Sequence, residues 1–228
     1  MLNVSGKNWE IHSTLNSWRS GASSVVIGNK VWVVGGYDDS GSSKTTSEYL
    51  TDGKWTVGPS IPGAGVYISC MTYLNSSHII LIGGYYDRRQ VRLFDTTTET
   101  WYDWTDLVSL PYPVDRHDCI TVEDGVLLTG GYNWDSRETT SQSWIVHRAG
   151  NLEQVGDMSR SRMGHRMVRL GAKIFSLGGW GNGYNELSSI DEWIPGNKTW
   201  VRSPYQLNTG NVWFGALVIR EPSTSLCV

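Results

Sequence analysis

The sequence predicts an all-β protein built from four copies of one four-stranded antiparallel unit. Three observations predict it. Glycine pairs fall at Gly35-Gly36, Gly83-Gly84, Gly130-Gly131 and Gly178-Gly179, spaced 48, 47 and 48 residues apart. Aromatic residues keep step with them: Tyr37, Tyr85, Tyr132 and Trp180 follow the pairs directly, Tyr49, Phe94, Trp144 and Trp193 come later, and Trp55, Trp101 and Trp200 close three of the units. No segment sustains a helical period of apolar residues. A fixed period of this length is the mark of a repeat architecture, in which each unit buries a face only by stacking on its neighbours.

Each unit reads as strands a to d. Strand a is SSVVI, ISCMTYL, CITV and HRMVRL in turn. A tight turn (GN, NSS, EDG or GA) leads into strand b, an apolar β-branched run that ends on the glycines, as in VWVVGG. Strand c carries the second aromatic, in SEYL, VRLFD, SQSWIV and DEWIP, and a further turn leads to strand d. The glycine pair has a physical reason. Where inner strands converge on a common axis, side chains no longer fit, and glycine also adopts the backbone angles that turn the chain outward. The tryptophans then fill the wider gaps farther from the axis.

A glycine pair followed by an aromatic, a second aromatic and a closing tryptophan, at a period near 48, resembles the kelch repeat from about Trp9 to about Val218. The resemblance implies a β-propeller whose blades are these four-stranded sheets. It places four blades at about 18–58, 66–104, 117–156 and 165–203 of a single domain, 1–228, with orphan strands near 7–12 and 211–219. Kelch propellers resemble closed rings of six or seven blades, so an incomplete ring is expected. Leu152 stands where the third closing tryptophan belongs.

Charged residues make up 18% of the chain and the formal net charge is −3, which supplies no field for nucleic acid or anionic lipid. No apolar run reaches membrane-spanning length and the N-terminus lacks the pattern of a signal peptide. The cysteines, Cys70, Cys119 and Cys227, are odd in number and lack CxxC spacing. Cys70 and Cys119 both open a strand a and read as small core fillers, so neither a disulfide framework nor a zinc site is expected, and a reducing, cytoplasmic compartment fits.

Antiparallel connectivity puts the b–c and d–a loops on one face, where the length variation lies, and repeat proteins bind with such loops. That face offers Tyr85, Tyr86, Arg88, Arg89, Trp134, Arg137, Trp180 and Tyr184 from b–c loops, with Tyr112, Arg116, Arg160, Arg162 and Tyr205 from d–a loops. Arginine and aromatics dominate interaction hot spots. The carboxylates Asp38, Asp39, Asp87, Asp115, Asp118 and Asp135 read as solvated loop residues. His117 and His165, each thirteen residues before a glycine pair, read as structural, satisfied by a neighbouring backbone group. Galactose oxidase and sialic-acid mutarotases share the kelch-type architecture, yet no clustered Tyr, His and Cys ligands stand out, and no catalytic residue, metal or cofactor is expected. The expected function is a non-enzymatic interaction module for a protein or peptide, the arginines suggesting an acidic one. Resemblance to kelch adaptors of cullin-type ubiquitin ligases implies substrate selection. The alternative is a carbohydrate-binding or sugar-modifying propeller.

Overall fold

A computed structural model describes residues 2–3, 8–9, 11–86, 88–216 and 218. The chain forms four four-stranded antiparallel sheets, each in the order a-b-c-d. Blade 1 contains β3 (Ser23–Ile27), β4 (Lys30–Val34), β5 (Ser47–Thr51) and β6 (Lys54–Gly58). Blade 2 contains β7 (Cys70–Tyr73), β8 (His78–Ile82), β9 (Val91–Asp95) and β10 (Thr100–Asp103). Blade 3 contains β12 (Asp118–Val122), β13 (Gly125–Thr129), β16 (Ser143–His147) and β17 (Leu152–Val155). Blade 4 contains β18 (Arg166–Leu170), β19 (Lys173–Leu177), β20 (Ser189–Ile194) and β21 (Thr199–Gln206). Two minor ladders complete the fold. β1 (Leu2–Asn3) pairs with β2 (Asn8–Trp9), and β11 (Val114–Asp115), β14 (Tyr132–Asn133) and β15 (Glu138–Thr139) form a three-stranded sheet above blade 3. Residues 211–216, where an orphan strand was expected, form no strand.

Three cores lie between successive blades. Trp32, Val34 and Tyr49 of blade 1 meet Met71, Ile79, Leu81 and Phe94 of blade 2. Ile80, Ile82 and Val91 of blade 2 meet Val126, Leu128 and Val146 of blade 3, and Leu127 and Ile145 of blade 3 meet Met167, Ile174, Trp193 and Trp200 of blade 4. Strand periodicity explains the alternation, since successive residues of one strand serve opposite interfaces.

The glycine pairs work as the sequence implies, with a division of labour it does not show. All eight glycines have positive φ, from 54° to 105°. A Cβ on the first of each pair would collide with a carbonyl oxygen of the segment that follows its blade: Val66, Val114 or Arg162 in a d–a loop, or Asn211 after blade 4. A Cβ on the second would strike its own blade's approach to strand a, at Arg19, Ser69, Asp115 or His165. The second glycine's N–H donates to that same carbonyl, at 2.8 Å for Gly36 to Val66, 3.2 Å for Gly84 to Val114, 2.9 Å for Gly131 to Arg162 and 2.8 Å for Gly179 to Asn211. Each pair is therefore a point of backbone contact between blades.

A second backbone run circles the axis. Ile68 N–H donates to Gly21 carbonyl (2.8 Å), Arg116 to Ile68 (3.2 Å), Gly164 to Arg116 (2.8 Å) and Trp213 to Gly164 (3.1 Å), and all five residues are left-handed. His117 and His165 sit beside this run, fully enclosed. Each rests on the preceding blade's first glycine, His117 Nε2 lying 3.1 Å from the Ile82 carbonyl and His165 Nε2 3.0 Å from Thr129 Oγ1. Burial pushes the His117 imidazole down to about 4, and pushes His165 in the same direction. The unfolded chain therefore takes up protons first as pH falls, so stability from these rings is complete above about pH 6.5 and drains away towards pH 4. Burial raises Asp115 and Asp118, with the opposite sign, so a variant comparison is needed. His117→Gln should gain roughly 3 kcal/mol on the wild type between pH 7 and pH 4, measured by urea unfolding at both values.

The cysteines correct the sequence reading. Cys70 and Cys119 form a disulfide with a Cα–Cα distance of 5.8 Å. Cys70 pairs with Ile82, directly before its glycine pair, but Cys119 pairs with Leu128, one residue farther from its own. An offset of one residue turns the two side chains to opposite sheet faces, and so towards each other across the gap between blades 2 and 3. They are not equivalent core fillers, and the inference from unpaired thiols to a reducing compartment loses its basis. Cys227 lies outside the described residues. The aromatic series needs a similar correction. Phe94 and Trp193 pair with Ile79 and Ile174, equivalent positions, whereas Tyr49 pairs with Trp32 and Trp144 with Leu128. Trp144 and Leu152 pack against the same blade 2–3 core, where Leu152 occupies the closing-tryptophan position.

Candidate functional site on the loop face

The b–c and d–a loops are held together by the residue after each glycine pair. Tyr37 pairs with Ser20, Tyr85 with Tyr67, Tyr132 with Asp115 and Trp180 with Met163, each across from its own d–a loop. These pairings fix the aromatic side chains over the blades. The result is a continuous belt: Tyr37 to Tyr67 (5.2 Å between ring centroids), Tyr67 to Tyr85 (5.1 Å), Tyr85 to Trp134 (5.8 Å) and Trp134 to Tyr132 (5.1 Å). Tyr86 closes a corner with Tyr85 at 5.0 Å and Tyr67 at 5.9 Å. Over blade 4 a second group joins Trp180 to Tyr184 (5.9 Å) and to Trp213 (6.0 Å).

Asp115 is the electrostatic centre of the belt. Its side chain is fully buried, accepts a hydrogen bond from Trp134 Nε1 at 2.7 Å, pairs with Arg116, and lies 3.6 Å from Arg88 Nε. The Arg88 guanidinium stacks on Trp134 at 3.8 Å and on Tyr85 at 4.4 Å from the ring centroids. Burial pushes the Asp115 carboxyl up, while Arg116, Trp134 and Arg88 favour its charge. Arg89 pairs with Asp135 at 2.9 Å and donates to the Leu110 carbonyl at 2.8 Å.

The sequence-predicted residues thus divide. Tyr85, Tyr86, Arg88, Arg116 and Trp134 come together in the belt. Arg137 and Tyr184 line a cleft of about 240 Å³ between the b–c loops of blades 3 and 4, with Tyr132 and Glu138. No ion pair is formed by Arg137 among the described residues. Tyr86, Arg116, Arg137 and Tyr184 all have positive φ, a strained state that functional loops often hold. Arg160 and Tyr205 are exposed but join neither group.

Two residues leave the site. Arg162 is fully buried, donating to the Gly178 carbonyl (2.8 Å), the Ser189 carbonyl (3.1 Å) and Asp191 Oδ2 (2.8 Å). It clamps the d–a loop to strands b and c of its own blade, and its guanidinium has no surface to offer. Arg19 makes the same clamp in blade 1, on the Gly35 carbonyl (2.6 Å), the Thr46 carbonyl (2.9 Å) and Glu48 (2.8 Å). The sequence carried a signal for it: both arginines lie sixteen residues before the first glycine, and Glu48 and Asp191 thirteen after it. Tyr112 is also withdrawn, into the blade 2–3 core.

Among the carboxylates, Asp115 and Asp118 are not solvated loop residues. Asp118 accepts from Cys119 N–H (3.0 Å) and Met167 N–H (2.6 Å), bridging blades 3 and 4, whereas Asp38 caps its own loop through Ser40 and Ser42. Asp87 lies outside the described residues. Sequence reasoning missed Tyr67, which holds the belt together from a d–a loop and has no counterpart in the repeat pattern. Beside the belt an axial cavity of about 760 Å³ opens, walled by Ser23, Ser69, Arg116, His117, Asp118 and Arg166 among others. No group of three or more His, Cys, Asp or Glu gathers to hold a metal among the described residues, and none of their helices is long and apolar enough to cross a membrane.

Comparison with known proteins adds three findings. The kelch motif matches residues 19–62, which span blade 1. No curated protein matches the chain in sequence. Among solved structures, that of YjhT superposes with a TM-score of 0.74 at 12% identity, over 89% of this chain and 70% of that one. With the kelch motif recognised over its first blade, the glycine-pair contacts repeated in all four, and the fold shared with that structure, the chain has a kelch-type β-propeller fold.

Proposed function

We propose that this chain is a binding module without chemistry of its own, gripping a protein or peptide partner with its b–c and d–a loops. The observation that carries the reading is the belt of tyrosines and tryptophan ordered around Arg88, a hot-spot composition on the variable face. In a ubiquitin-ligase adaptor such a module would select the substrate. In this reading the rings supply most of the affinity, because Arg89 and Arg116 are already paired with Asp135 and Asp115, while Arg88, Arg137 and Arg160 keep positive charge for an acidic group.

A random-peptide display selection on the immobilised chain tests this. Enrichment of a peptide family that loses at least tenfold in affinity on Trp134→Ala supports it. A glycan array that lights up while no peptide is enriched would favour the second reading, a carbohydrate-binding or sugar-modifying propeller, for which the polar axial cavity is the supporting observation.

A further inference from the structure

The belt has a hydrogen-bonding character as well as a shape. The phenol hydroxyls of Tyr37, Tyr67, Tyr85 and Tyr86 form no hydrogen bond among the described residues, and all four rings are at least partly exposed. Burial raises the Tyr67 phenol, helped by its three tyrosine neighbours, so it stays a donor. Of the charges around them, Arg116 is paired with Asp115 and Arg89 with Asp135, while Arg88, 3.6 Å from Asp115, leaves one positive charge spread over a guanidinium stacked on Trp134 and Tyr85. Asp115, the carboxylate at the centre, is buried and committed to Trp134 and Arg116, so it is no acceptor for a ligand. What the surface presents is ring faces edged by donors: the hydroxyl groups and the stacked Arg88 guanidinium.

The complementary ligand is apolar, rich in carbonyl acceptors and poor in N–H donors. A proline-rich segment in the polyproline II conformation meets each condition, because proline has no N–H and the helix leaves its carbonyls unpaired. Its order before binding also reduces the entropy lost on docking.

We propose that the tyrosine belt binds a proline-rich peptide segment, with ring faces holding the prolines and phenol hydroxyls donating to the peptide carbonyls. The proposal rests on the peptide-binding reading above. Isothermal titration of the full chain with three twelve-residue peptides tests it: an Ala-Pro-Pro repeat, a Glu-rich peptide and a Gly-Ser peptide. The Ala-Pro-Pro peptide is expected to bind in the micromolar range and the other two at least tenfold more weakly. Tyr67→Phe and Tyr86→Phe, which keep the rings and delete the hydroxyls, should each weaken binding about threefold to tenfold, and Lys54→Ala, exposed at the c–d turn on the opposite face, should leave it unchanged. Tighter binding of the Glu-rich peptide would overturn the proposal while leaving the peptide module standing. Equal binding of the Phe variants would overturn the donor argument, and silence of all three peptides together with an empty display selection would remove both readings.

Discussion

Gly130→Ala should lower the free energy of unfolding by about 3 kcal/mol, whereas Gly171→Ala should cost about 1 kcal/mol. The two glycines have the same backbone conformation, φ 59° and 62°, so the cost of placing an L-residue in the left-handed region is common to both. Their surroundings differ. A Cβ at Gly171 meets nothing within 4 Å, whereas one at Gly130 overlaps the Arg162 carbonyl oxygen and comes within 2.9 Å of His165 Cε1 and 3.0 Å of Met158 Cε. The carbonyl is backbone and already accepts from Gly131 N–H, so it cannot retreat without separating blades 3 and 4. Urea unfolding of both variants checks the difference. Equal losses would mean that conformation alone, and not crowding between blades, requires the glycine pair.

Asp191→Ala should cost about 3–5 kcal/mol, because it strands the Arg162 guanidinium in the interior. Both side chains of this pair are 0% exposed, at 2.8 Å. Burial already pushes the Arg162 guanidinium down, with Asp191 the chief opposing influence, and Asp191 also accepts from Ser159 Oγ at 2.5 Å. Replacing both partners, Arg162→Met with Asp191→Leu, should recover much of the loss, since an apolar pair leaves no uncompensated charge. Arg89→Ala, at a pair whose side chains are 47% and 60% exposed, should change stability by less than about 1 kcal/mol. Denaturant titration of the four proteins checks the order. An Asp191 variant as stable as the Arg89 one would show that the clamp holds nothing together.

The legible and illegible parts of this molecule separate on physical grounds. The glycine pairs were legible because backbone crowding admits one residue type, so the constraint is written at fixed positions. The aromatic after each pair was legible for the same reason, since it starts the bridge to the d–a loop. Face assignment was not. Tyr49, Phe94 and Trp144 look alike in sequence, but a strand residue changes interface with a shift of one position, and register is set by pairing partners elsewhere in the chain. The same shift concealed the Cys70–Cys119 bond. Arg116 and Arg162 lie in equivalent loops and read identically, yet one neighbours the buried carboxylate at the base of the belt and the other is drawn into the core by Asp191, far along the chain. Asp115 looked like a solvated loop acid because two of its three partners, Arg88 and Trp134, come from the b–c loops of two different blades.

The covalent tie between blades 2 and 3 encloses the whole of β8, β9 and β10, with 49 positions separating its two ends. A single chain break anywhere in that span, including the exposed b–c loop that carries Tyr86, leaves both pieces on one molecule, each still anchored beside the axis. For this reason the loop that the belt relies on can be severed without the inner strands on either side of it drifting apart.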